Sequence, residues 1–178
     1  TPLLYATSLG DVQIVTMLIG MYADPNVHNV YQTTPLHAVG SGGRADLTSL
    51  LLKAGALVDE QDQAGMTPLM IASERGFGGV VDMLLDANAK FDIRRKDGNT
   101  ALHLACINPQ PQTCYTLLKR GANTEYRNFE GLTPLMLAAK LGNEAAVALL
   151  IKAGADTQTA AANGRNSAHL AASSGYTT

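Results

Sequence analysis

Tryptophan is absent from the sequence, and six tyrosines and three phenylalanines are its only aromatics. A core of large rings is therefore excluded, and the 46% hydrophobic content rests on Ala, Leu, Val, Ile and Met. Small side chains of this kind suit short helices packed at close axial distance. Cysteine is scarce as well: only Cys106 and Cys114 occur. They make no disulfide framework, and the expected compartment is reducing, cytosolic or nuclear. An excess of one charge is also missing. Thirteen Lys and Arg against fifteen Asp and Glu leave −2 at pH 7, with no basic run. Nucleic acid and anionic membrane are thus not expected partners. The longest apolar stretch, Ala145 to Ile151, ends at Lys152, far short of the roughly 20 residues that span a bilayer. The opening residues do not read as a secretory leader.

What is present is a period. Thr-Pro-Leu begins at Thr1, Thr34, Thr67 and Thr133, and degraded forms follow at Thr100-Ala101-Leu102 and Asn166-Ser167-Ala168. The spacing of 33 residues holds throughout, which marks a stacked repeat architecture in which each unit buries its apolar face against its neighbours. The units run 1–33, 34–66, 67–99, 100–132 and 133–165, with a partial unit at 166–178, all in one domain.

The third unit explains the period physically. Thr67 is placed to cap a helix, and Pro68 sits at the first helical position, where its missing N–H costs nothing. Leu69 and Ala72 share one face, and Gly76 stands where a C-cap needs positive φ. A second helix follows with Val80, Val81, Met83, Leu84 and Leu85, closed by Asn88, a residue that tolerates the left-handed conformation. Polar, turn-forming residues then lead through Asp97-Gly98 to Thr100. Each unit reads helix, turn, helix, hairpin-like loop. The loop Gly (Gly65, Gly98, Gly131, Gly164), the helix-closing Gly-Ala (Gly55, Gly121, Gly154) and the inter-helix Gly (Gly10, Gly43, Gly76, Gly142, Gly175) recur in phase.

Thr34-Pro35-Leu36-His37, Thr100-Ala101-Leu102-His103-Leu104-Ala105 and Ala168-His169-Leu170-Ala171-Ala172 resemble the ankyrin repeat, over the whole chain. The resemblance implies an all-α repeat solenoid of L-shaped helix pairs with projecting β-hairpin fingers. It further implies a concave groove, lined by the fingers and first helices, that binds other proteins.

Several positions depart from the pattern. Tyr22 replaces the helix-closing Gly or Asn, and a rearranged turn is expected. Val39 replaces the small Ala at a close helix contact, and local spreading is expected. Arg95 stands where Asn29, Asp62 and Asn128 keep the family's Asp or Asn. Pro109 fills the inter-helix Gly position and cannot adopt positive φ; a tolerated turn with Pro111 opening the second helix is favoured over a specialised loop. Neither end supplies a clear polar cap, so an array continuing beyond this sequence is expected.

No chemistry-bearing constellation emerges, and no cofactor or metal is expected. His37, His103 and His169 repeat in phase, but units stack about 10 Å apart while zinc ligands must lie about 2 Å from the metal. Hydrogen bonding at the helix N-terminus is their expected role. Cys106 and Cys114 have no basic neighbour to activate them. No Gly-x-Ser-x-Gly or Gly-x-x-x-x-Gly-Lys motif occurs. Asn26 lies where ankyrin proteins can be hydroxylated, yet an ordinary turn asparagine is the expected reading. Asp11, Asp46 and Glu144 sit at second-helix starts, where negative charge is favourable.

The remaining candidate is the concave surface. Its finger positions include Tyr31, Met66, Arg94, Lys96, Arg127, Phe129 and Leu132, with Ala162, Asn163 and Arg165 in the last finger. The first-helix ends contribute Glu74, Arg75, Ile107, Asn108, Lys140 and Leu141. Tyr31, Met66, Phe129 and Leu132 are apolar where fingers should be wet, and aromatics with Arg favour interface hot spots. Basic residues gather in units three to five. The expected function is protein–protein recognition of a segment with acidic and apolar residues. The alternative is a spacer or regulatory arm of a larger enzyme, channel or effector.

Overall fold

The structure, a computed structural model, describes residues 1–161 and 164–176; Ala162 and Asn163 of the expected last finger lie outside them. Six first helices alternate with five second helices among the described residues. The first helices are α1 (Pro2–Leu9), α3 (Pro35–Gly42), α5 (Pro68–Arg75), α7 (Ala101–Ala105), α9 (Pro134–Leu141) and α11 (Ser167–Ser173). The second helices are α2 (Val12–Gly20), α4 (Ala45–Lys53), α6 (Gly78–Asp86), α8 (Gln112–Lys119) and α10 (Glu144–Lys152). First helices pack on first helices and second on second, in two parallel rows. The chain is an all-helical repeat solenoid.

The caps work as the sequence predicts. Thr1, Thr34, Thr67 and Thr133 each accept the backbone N–H three residues on, satisfying a donor that the helix itself leaves free. Asp11 and Asn143 do the same for α2 and α10. With both helices of each unit placed, the 33-residue period becomes two leucine ladders. Leu36, Leu69, Leu102 and Leu135 form one and Leu51, Leu84, Leu117 and Leu150 the other, all fully buried. Each side chain withdrawn from water contributes roughly 1.5–3 kcal/mol.

Two expected departures do not occur. Tyr22 adopts φ 61°, so the closing turn is retained rather than rearranged. Ala23 N–H still donates to Leu18 O at 2.9 Å, as Ala56 does to Leu51 O at 3.0 Å. The Tyr22 ring is in solvent, so only the backbone strain of a non-glycine left-handed residue remains. Val39 does not spread the stack either. It is buried, and the next residue, Gly40, lies so near α5 that a Cβ there would be 2.9 Å from Pro68 O.

The Pro109 turn shortens α7 to five residues and frees carbonyls that a longer helix would bond. Asn143, the α10 cap, covers them: its Nδ2 donates to Cys106 O at 2.9 Å and Asn108 O at 2.6 Å. Asn108 Nδ2 in turn donates to Glu74 O at 3.1 Å. Pro111 occupies the α8 N-cap. The turn is tied to both neighbouring units.

The fingers are tight turns, not two-stranded ladders; the described residues hold one isolated antiparallel bridge, Ala160 with Asn166. Two backbone bonds close each turn, such as Asp62 N–H to Met66 O and Gly65 N–H to Asp62 O, both at 2.9 Å. Consecutive fingers are joined by Gln63 N–H to Tyr31 O, Lys96 N–H to Ala64 O and Phe129 N–H to Asp97 O.

Candidate partner-binding surface

Finger and first helix meet on one side of the stack. Lys140, at the end of α9, lies 3.3 Å from Glu130 of the preceding finger. Beside that pair stand Phe129, 73% exposed, and Leu141, 44% exposed. Phe129 packs against Gly98, where a Cβ would come within 2.7 Å of its ring. Tyr31 and Ile107 are exposed on their own units. Arg75, Lys96 and Arg127 are exposed. Arg94 is also exposed and lies over the Tyr126 ring at 5.1 Å, a cation–π contact. Sequence reasoning passed over Tyr126; an aromatic directly before Arg127 was the available signal.

Met66 and Leu132 are corrections. They are 8% and 5% exposed, so their apolar character serves packing and neither is a wet finger residue. Their carbonyl oxygens accept the Nε2–H of His37 and His103, each at 3.0 Å. On the other ring nitrogen, Nδ1 of each histidine accepts Thr34 or Thr100 N–H. Burial pushes both histidine pKa values below the usual 6.5, and the hydrogen bonds fit the neutral Nε2–H tautomer. His37 and His103 are thus stapling groups, while the exposed His169 bonds, among the described residues, only its own helix cap, Asn166. Asn108 and Glu74 are half-buried and tied to each other through the Asn108 side chain.

Arg95 has a local explanation. Asn29, Asp62 and Asn128 each accept two backbone N–H groups of their own finger through Oδ1. Arginine has no acceptor. Asp97 takes over by accepting Asn99 N–H at 3.0 Å, and the Arg95 guanidinium holds it in place. That guanidinium, together with the Asn99 bonds, lowers the Asp97 pKa to about 2.

The cysteines pack in the core, and hydrogen bonding to Cys114 together with burial pushes the Cys106 thiol up. Asn26 bridges units one and two: its Nδ2 donates to Gly55 O at 3.2 Å and its Oδ1 accepts Leu57 N–H at 2.8 Å. Among the described residues no His, Cys, Asp and Glu cluster could hold a metal. No described helix is long and apolar enough to cross a membrane.

A stack of capped helix pairs that turns its fingers and helix ends to one side defines a repeat-built helical solenoid. The model for ankyrin repeats in three copies matches residues 3–97, 38–128, 78–161 and 102–178, and the chain belongs to the ankyrin-repeat family. Ankyrin repeats are generally protein–protein interaction modules. No curated protein matches the chain.

Proposed function

We propose that this chain, as one continuous ankyrin domain over residues 1–178, binds a protein or peptide segment on its concave face. The surface runs across units two to five. The observation that carries this reading is Phe129, an aromatic exposed to 73% beside the finger-to-helix contact of Glu130 with Lys140. Tyr31, Ile107 and Leu141 extend the apolar surface along the stack. Arg75, Arg94, Lys96 and Arg127 supply positive charge, and among the described residues none of them is in an ion pair. Asp97 and Glu130, the acidic residues of these fingers, are already engaged by Arg95 and Lys140. The partner is therefore a segment with acidic and apolar residues. The scaffold is preformed, so a partner orders few loops on binding. Its role is recognition, in an intracellular setting.

The test is selection from a displayed peptide library against the parent and an Arg94→Glu/Phe129→Ala variant of matched thermal stability. Acidic–apolar peptides retained by the parent, lost by the variant and weakened by salt are expected. Equal retention by both proteins removes the concave face as the site. No enrichment on either favours a spacer or regulatory arm.

A further inference from the structure

The concave face divides into a charged part and an apolar part where unit three meets unit four. On the finger and first-helix end of unit three stand four cations, Arg75, Arg94, Arg95 and Lys96, against two carboxylates, Glu74 and Asp97. Arg95 is engaged by Asp97. Arg75, Arg94 and Lys96 are exposed, and among the described residues none of them is in an ion pair. In the finger of unit four the charges are already engaged. Arg127 donates to Ala160 O at 2.8 Å, and Glu130 meets Lys140. What remains exposed beside them is apolar: Ile107, Phe129 and Leu141.

Backbone bonds fix the distance between the two parts. Lys96 N–H donates to Ala64 O and Phe129 N–H to Asp97 O, so Lys96 and Phe129 hold one repeat position in consecutive fingers. Units stack about 10 Å apart, but the side chains narrow that gap. The Phe129 ring packs back against Gly98, two residues from Lys96. Arg94 reaches the other way, over the Tyr126 ring of unit four. By phase, Ile107 borders the finger of unit three as Lys140 borders that of unit four. Cations and apolar surface are therefore less than a full repeat of about 10 Å apart.

An extended chain offers one match to that gap. Its side chains two residues apart point the same way at about 7 Å, and those four apart at about 13 Å. We propose that this surface reads an extended peptide in which a carboxylate and a large apolar side chain stand two residues apart. The carboxylate sits over Arg94 and Lys96, and the apolar side chain lies between Phe129 and Ile107. This spacing rests on the concave-face reading above and narrows its partner to one motif, acidic–x–apolar. The two contacts reinforce each other, because an apolar side chain beside the ion pair excludes water and strengthens it.

The test is a displayed library of random peptides, each with one fixed aspartate and one fixed leucine at every spacing from adjacent to six apart, selected on the whole chain. Peptides with the two residues two apart should be enriched about tenfold over those four or more apart. Arg94→Glu/Lys96→Glu and Phe129→Ala alter exposed side chains, so both proteins should melt close to the parent. The first should lose the preference for aspartate and keep that for an apolar residue. The second should do the reverse. Enrichment on the parent that is equal at all spacings, or greatest at four or more, overturns the motif and leaves the concave-face reading standing. Enrichment that neither variant alters, or none at all, overturns both.

Discussion

His37 Nε2–H donates to the carbonyl oxygen of Met66, 29 positions later, at 3.0 Å. The bond joins the start of one unit's first helix to the end of the same unit's finger, where the next unit begins. His103 and Leu132 repeat it two units further on, so in these two units one side chain couples helix capping to finger position.

This coupling makes stability depend on pH. Both histidines have lowered pKa values in the folded state, so the unfolded chain takes up protons first. Their contribution is fully present above pH 6.5 and is lost as pH falls from there through the folded values. Thermal melts should show a falling midpoint between pH 7.5 and pH 5. In His37→Gln/His103→Gln that fall should be smaller, and at pH 7.5 each lost buried bond should cost roughly 1–3 kcal/mol.

The Arg95–Asp97 pair predicts a non-additive cycle. Asp97→Ala removes the acceptor for Asn99 N–H and should destabilise by up to about 1 kcal/mol, the pair being partly exposed. Arg95→Asn restores the acceptor found at Asn29, Asp62 and Asn128, so Asp97→Ala should cost less in that background. Urea midpoints of the four proteins check this. Below pH 4 the Asp97 contribution should fade, because a carboxylate of depressed pKa loses its stabilisation as it is protonated.

Leu132 and Phe129, three residues apart, should behave oppositely. Leu132→Ala opens a cavity and should cost about 2–4 kcal/mol of stability. Phe129→Ala, at an exposed position, should change stability by about 0.5 kcal/mol or less, its effect appearing in partner binding instead. Denaturant curves for both variants separate packing from recognition.

Tyr22→Gly should stabilise the chain. The left-handed backbone at φ 61° costs a non-glycine residue about 1–2 kcal/mol, partly offset by the greater freedom of unfolded glycine. A net gain near 1 kcal/mol in the urea midpoint is expected; a loss would mean that the ring stabilises the turn.

The architecture was legible because its requirements are local. Thr34 caps through the N–H of His37, and Pro35 follows at the first helical position. Both requirements lie within a turn of chain, and the 33-residue period multiplies them. The candidate surface was legible in part. Phase alone assigned Phe129, Arg94 and Lys140 to fingers and helix ends, and the structure leaves all three exposed. Phase could not separate Phe129 from Leu132, because the neighbouring unit decides which of the two is covered.

By itself, then, the sequence determined the repeat, its helix pairs, its caps and its ankyrin family. Only the tertiary structure decided that Met66 and Leu132 are core, that Asn143 caps a turn 35 residues before it, and that Asp97 replaces the acceptor missing at Arg95. The physical reason is range. A cap or a turn is satisfied within about four residues, whereas burial and the partners of side-chain donors are set by groups brought together across units.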